Sequence, residues 1–238
     1  MELLAGTSGY SYKPWKGVFY PEDLRDDGML AYYASQLPVV EINNTFYQFP
    51  KKHILEAWSA QVPDTFRFVI KAPRRITHIR RLKNAADDTS FLLSTLSVLG
   101  ESLGAILFQL PPNLQKDLPR LEAFLELLPA GTKAAFEFRH ASWLDSEVRD
   151  RIVARGCALC AADKDDELGE QAFALASKGA WGYMRMRGAG YGPQDLTAWA
   201  ARIQATGWER AFVFFKHEEG EAPGWATRLL EAASVAGG

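Results

Sequence analysis

Ala134-Ala135-Phe136-Glu137-Phe138-Arg139 is followed by the amphipathic stretch Ser146–Ala154 and then by a second apolar run, Ala158–Asp163. Two short runs rich in apolar residues, separated by a segment with helical spacing, read as strand, helix, strand. Strands joined through a helix are parallel, and a parallel sheet requires helices packed on its faces. Six further runs of the same kind lie along the chain at Leu3–Ser8, Val39–Asn43, Phe66–Lys71, Ala105–Gln109, Gly182–Arg187 and Ala211–Lys216. Helical spacing falls between them at 28–36, 51–61, 89–99, 118–128, 193–205 and 222–233, with the least regular segment at 167–177. The expected fold is therefore α/β, a single (β/α)8 TIM-type barrel with parallel strands over residues 1–238, a length typical of that architecture. No Gly/Ser linker or low-complexity tract marks a second domain. An open doubly wound sheet is the structural alternative, but the turn after the first strand, Gly6-Thr7-Ser8-Gly9-Tyr10, lacks the G-x-G-x-x-G of a dinucleotide site.

Composition bounds the function classes. Hydrophobic residues make up 47% and charged residues 24%, which suits a folded globular chain. The formal net charge of −2 supplies no global field for nucleic acid or an anionic membrane, so either partner would need a local basic patch. No apolar run approaches the length that spans a bilayer, and the first ten residues lack the pattern of a secretory signal, so the expectation is a cytoplasmic protein with no membrane partner. Cys157 and Cys160 are spaced C-x-x-C, but on a strand residues three apart point to opposite faces. They read as two buried thiols rather than a redox pair or half of a zinc site.

Strand parity turns the fold into a map of a site. In barrels of this kind chemistry gathers where strands end at the carboxyl-terminal face. On the second strand Val40 and Ile42 suit the helix layer, which leaves Glu41 and Asn43 pointing inward; on the fifth, Glu137 and Arg139 are inward opposite Phe136 and Phe138. On the seventh, Tyr183, Arg185 and Arg187 are inward opposite Met184 and Met186. The same rule adds Lys71, Gln109, Asp163 and Lys216 at four more strand ends. Five cations (Lys71, Arg139, Arg185, Arg187, Lys216) thus face three anions (Glu41, Glu137, Asp163) in an otherwise mildly acidic chain, a balance suited to phosphate or carboxylate.

Several blocks then resemble one family in order. They are Gly6–Tyr10 with Trp15, Val40–Tyr47, Phe68–Ala72 with Ile76-Thr77-His78, Leu107–Pro112, Phe136–His140 with Ser142-Trp143, and Tyr183-Met184-Arg185. Together they are similar to the domain-of-unknown-function 72 (DUF72, YecE-like) family across essentially the whole chain. The resemblance implies a TIM-type barrel and an uncharacterised activity, with no catalytic residues to carry over. Two positions depart from the family pattern: Arg185-Met186-Arg187-Gly188 stands where relatives usually read Arg-x-His-Gly, and Phe215-Lys216-His217 where they usually read Phe-Asn-Asn. Both departures add positive charge or a titratable ring at the expected mouth, so no shared ligand choice is carried over from the family to this chain.

The resulting expectation is an enzyme or binding protein for a small phosphorylated or carboxylated polyol. Arg139, Arg185 and Arg187 would clamp the anion, with Asn43, Lys71, Gln109, Asp163, Tyr191 and Lys216 as further ligand contacts. Glu41, Glu137 and His140 would carry metal-independent acid and base chemistry of isomerase, lyase or hydrolase type. A metal on Glu41, Glu137, Asp163 and His140 is disfavoured by the nearby cations, and no sequence feature names a cofactor or an oligomeric state. Loop aromatics Trp15, Phe46, Tyr47, Trp143 and Tyr191 keep open a second reading, a non-catalytic or nucleic-acid-binding barrel.

Overall fold

A computed structural model describes residues 1–163, 167–216 and 220–236. Strands β1 (Glu2–Ser8), β2 (Val39–Ile42), β3 (Arg67–Lys71), β4 (Leu103–Gln109), β5 (Ala134–Glu137), β6 (Ala158–Asp163), β7 (Trp181–Met186) and β8 (Arg210–Phe215) alternate with helices α1 (Met29–Gln36), α2 (Lys52–Ser59), α3 (Ala86–Leu96), α4 (Leu118–Leu125), α5 (Ser146–Ala154), α6 (Glu167–Ala176), α7 (Pro193–Gln204) and α8 (Ala222–Ala236). Every neighbouring pair of strands is parallel, and β1 pairs with β8 from Glu2–Arg210 to Thr7–Phe215, which closes the barrel. The expected α/β barrel is the observed fold. Strand boundaries lie within two residues of those read from the sequence. Helix ends wander further because caps decide them: Asp117 and Asp145 cap α4 and α5 by accepting from the backbone N–H of Arg120 and Val148.

Parity divides the apolar residues into two layers. Leu4, Val39, Val69, Leu107, Tyr183, Phe212 and Phe214 belong to a plug that fills the barrel's interior. Val40, Ile42, Phe136, Met184 and Met186 pack outward against the helices. The rings of Phe212 and Phe214 stack at 6.5 Å, and Gly104 leaves room for Phe212, since a Cβ there would sit 3.1 Å from its ring. The plug is dry, so each large side chain in it contributes roughly 1.5–3 kcal/mol by leaving water. Cys157 lies in the outer layer and Cys160 in the plug, so the two thiols diverge; both are free and buried.

At the seam of β1 and β2, Tyr33 of α1 reaches between the strands. Its hydroxyl accepts from the Thr7 backbone N–H (2.9 Å) and donates to the Val39 carbonyl (3.0 Å). Gly6 permits this contact: a Cβ there would stand 1.9 Å from the Val39 oxygen. Among the described residues no helix is long and apolar enough to cross a membrane.

Candidate functional site

Above the plug, the inward positions at the carboxyl ends of the strands change from apolar to charged, and the change is abrupt. Tyr183 still belongs to the plug by its ring, yet its hydroxyl donates to Glu41 Oε2 (2.6 Å). Glu41, fully buried at the end of β2, also accepts at Oε1 from Ser8 Oγ (2.7 Å), Asn43 Nδ2 (3.0 Å) and Arg185 Nη2 (2.8 Å). Across the mouth, Glu137 at the end of β5 accepts at Oε2 from Gln109 Nε2 (2.6 Å) and Arg185 Nη1 (2.8 Å). Its Oε1 accepts from Arg187 Nη2 (2.8 Å) and Arg139 Nε (3.3 Å). Arg185 is thus the centre of the site, with one guanidinium bridging two carboxylates from opposite sides of the barrel, and its side chain is 2% exposed.

Burial alone would raise the pKa of both carboxyls. Arg185 reverses this at Glu41, helped by hydrogen bonds from Tyr183, Ser8 and Asn43, and holds it below the usual carboxylate range. Glu137 is likewise held well below the usual range, because Arg185, Arg187 and Arg139 all face it and Gln109 adds a hydrogen bond. Both are therefore ionised, with each oxygen already accepting. An ionised carboxylate has no proton to donate near neutrality, so the acid half of the acid and base chemistry expected of Glu41 and Glu137 does not fit the geometry. The Tyr183 phenol, pushed up by burial and by Glu41, stays neutral and donates.

The expected clamp changes in the same way. Arg185 has its terminal nitrogens committed to carboxylates, so it organises the floor and the ligand-facing cations are those around it. Arg187 spends one nitrogen on Glu137 while its buried Nε has no hydrogen-bond partner; the Arg185 Nε is in the same condition. Arg139 is about one third exposed above Glu137. Lys71, inward at the end of β3, lies 4.3 Å over the face of Phe46 and forms no hydrogen bond or ion pair with the described residues. Its pKa is pushed down to about 8 by burial and then by Arg185 and Arg139, against the opposing pull of Glu41 and Glu137. Lys216 is exposed just past β8, and burial of its stem together with Arg187, Arg185 and Arg139 lowers its pKa as well. His78 packs edge-on against Phe46, and burial with Lys71, Arg139, Arg74 and Arg81 holds its ring below the usual range. A cleft of ≈ 50 Å³ opens among Glu137, Arg139, His140, Cys160, Ala162 and Arg187.

Two expected contacts, Asp163 and Tyr191, are placed elsewhere, and His140, expected as a catalytic residue, lines the cleft but is tied to its own loop. Asp163 shares the outward parity of Leu159 and Ala161, and with it the helix side of the barrel, because β6 turns Ala158, Cys160 and Ala162 inward. There it accepts a short hydrogen bond from the Tyr191 hydroxyl, whose ring packs on Phe215 and Trp225. Both residues therefore belong to the shell beneath α8 rather than to the mouth. His140 sits in the turn after β5 with Nδ1 bound to Ser142, by 2.8 Å to its hydroxyl and 3.2 Å to its backbone N–H, so it is tied to the loop rather than to Glu137. With Asp163 outside and His140 held in the turn, the four residues weighed as metal ligands do not converge; among the described residues no such cluster forms. His217 lies outside the described residues. Of the loop aromatics, Trp15 and Trp143 are buried in the outer shell, and Tyr47 stays exposed beside half-buried Phe46. Ser8 was not anticipated, although it shares inward parity with Leu4, and Tyr183 was placed inward without a role. Their signal was a hydroxyl on the inward face at a strand's mouth end.

The fold and this site define a class: a parallel eight-stranded barrel whose carboxyl-terminal mouth is floored by a buried carboxylate–arginine–carboxylate bridge. The sequence profile described as "Protein of unknown function DUF72" matches residues 4–237, and the chain belongs to that family. It is 32% identical over 125 residues to the UPF0759 protein YecE of Escherichia coli (strain K12), a stretch covering 52% of this chain and 46% of that protein. The match thus spans about half the length of that curated relative. Two solved structures share the fold. A DUF72 family protein of Thermotoga maritima superposes with a TM-score of 0.76 at 22% identity over 100% of both chains. One of Enterococcus faecalis gives 0.77 at 18% identity, covering 98% of this chain and 95% of the other.

Proposed function

We propose that the mouth binds a small anionic ligand, a compound bearing phosphate or carboxylate of the size of a polyol acid. The observation that carries this reading is a mismatch of acceptors. Only Glu41 and Glu137 among the described inward residues are anionic, and their oxygens are all engaged, while among those residues Lys71, the exposed Lys216 and the buried Arg187 Nε have no acceptor. A buried donor without an acceptor costs about 1–3 kcal/mol, more when charged, and an incoming anion relieves that cost. The removal of Asp163 from the mouth supports the reading further, since five cations then face two carboxylates instead of three.

The nucleic-acid alternative loses support from the same geometry. Of the five loop aromatics weighed for stacking, burial of Trp15, Trp143 and Tyr191 leaves Phe46 and Tyr47, a small platform for stacked bases. Calorimetric titration with inorganic phosphate tests the reading. Binding should be saturable at moderate salt, and Arg187→Met should weaken it about tenfold while Arg75→Met, which breaks an exposed pair with Asp88, should not. Absence of saturable binding would sink the proposal. A single-stranded oligonucleotide that binds with a steep salt dependence, and is not displaced by phosphate, would favour the alternative.

A further inference from the structure

We infer that Lys71 is a nucleophilic amine that forms an imine with a carbonyl compound carrying an acidic group. The inference rests on the anion-binding reading for the acidic half of that substrate class, and on the surroundings of Lys71 for the carbonyl half. Lys71 points inward at the carboxyl end of β3, where barrel chemistry gathers. Of the two lysines at the mouth it is the partly buried one, and it has no ion pair among the described residues. A structural lysine in such a place would be expected to reach for Glu41 or Glu137. Those carboxylates are instead engaged by Arg185, Arg187, Arg139, Gln109, Ser8, Asn43 and Tyr183, so among the described residues the ammonium is left with the Phe46 face.

Charged and titratable groups from several other described elements act on it. Arg185 of β7 and Arg139 after β5 disfavour the charged form, Glu41 of β2 and Glu137 of β5 favour it, and His78 lies on the far side of Phe46. Burial comes first among these influences, and together they place the Lys71 pKa at about 8, so about a tenth is free amine at pH 7, far more than for an ordinary lysine. Desolvation and neighbouring cations are the two devices that activate lysine as a nucleophile. The arrangement also explains the choice of lysine: an arginine at this position would remain charged and inert.

The step balances without any redox partner. The Nζ lone pair adds to the carbonyl carbon, the C–O π pair moves to oxygen, and the proton released from nitrogen passes through solvent to that oxygen. The carbinolamine then loses the oxygen as water, leaving the C=N bond to Lys71. Arg187 and Arg139 stand where they can hold the substrate's acid group while this occurs.

Reductive trapping of the full chain tests it. Glyoxylate, the smallest aldehyde bearing a carboxylate, is incubated with the protein and cyanoborohydride, and the modified lysines are located by peptide mass mapping. Lys71 should be labelled at least about tenfold faster than the exposed lysines, with a rate midpoint near pH 8, and inorganic phosphate should protect it. Lys71→Met and Lys71→Arg should each abolish that fast phase, with melting temperatures measured on both to show that the barrel is intact. Labelling of Lys71 no faster than of surface lysines overturns the imine. If phosphate still binds in that case, the anion reading survives alone. Fast labelling of Lys71 that neutral propionaldehyde reproduces equally, without phosphate protection, keeps the reactive amine but overturns the acidic carbonyl class and the anion reading with it.

Discussion

Replacing Arg185 by methionine keeps an unbranched apolar stem and removes the one charge that Glu41 faces at hydrogen-bond distance. Glu137 retains Arg187, Arg139 and Gln109, but Glu41, 0% exposed, keeps only the neutral donors Ser8, Asn43 and Tyr183. Breaking a buried pair by removing one partner costs about 3–5 kcal/mol, because the other charge is stranded. For a chain of this size each kcal/mol moves the melting temperature by roughly 2–4 °C, so the variant should melt roughly 6–20 °C lower at pH 8.

The pH dependence identifies the cause. In the wild type, the folded-state pKa values of Glu41 and Glu137 are depressed below the ordinary 4.5. Their stabilisation is present above that value and is lost as pH falls through the depressed folded values. In Arg185→Met, burial raises the folded pKa of Glu41 above 4.5. Its penalty is then full at high pH and is relieved as pH falls through the raised value. The gap between the two melting curves, followed by circular dichroism or calorimetry, should accordingly narrow from pH 8 to pH 5. Adding Glu41→Gln to Arg185→Met should recover most of the loss at pH 8. A gap smaller than about 1 kcal/mol, or one that stays constant over this range, would refute the claim that Arg185 compensates a buried carboxylate.

Two further outcomes follow from packing alone. Gly6→Ala should lower stability by about 1–3 kcal/mol or more, because its Cβ would overlap the Val39 carbonyl and force β1 from β2 and the Tyr33 hydroxyl; a melting temperature unchanged from wild type would contradict that close approach. Burial pushes the Cys157 thiol up to about 11 and the Cys160 thiol well above its ordinary value, so both should resist an aromatic disulfide reagent at pH 8 in the native state and react fully in denaturant. Rapid native labelling of either would contradict the placement of one in each apolar layer.

Much of the barrel was legible because parallel strands buried on both faces announce themselves as short apolar runs, and because parity holds wherever a strand is regular. Glu41, Glu137, Arg139, Arg185, Arg187, Lys71 and Gln109 all lie where alternation puts them. The rule failed at Asp163. The sequence Ala158-Leu159-Cys160-Ala161-Ala162-Asp163 has small residues on both faces, so nothing in it says which set faces the plug. Tyr191 was misplaced for a related reason: the sequence does not show that Phe215 and Trp225 form a pocket for its ring. What parity could not supply is the pairing itself. Whether a mouth arginine reaches a ligand or a glutamate depends on distances across the barrel, between residues more than a hundred positions apart, such as Glu41 and Arg185. The shift of Arg185 from clamp to bridge came from those distances alone.

The bridge has an evolutionary consequence. Glu41, Glu137 and Arg185 are bridged in the buried floor so that changing any one of them alone strands a charge there, and the trio is locked against stepwise drift. Arg187 and Lys216 stand outside that lock, one sharing an oxygen that Arg139 also serves and the other exposed to water. Those positions can be exchanged singly at little cost to folding. A lineage built on this barrel is therefore free to try new ligands at the rim while inheriting its floor unchanged.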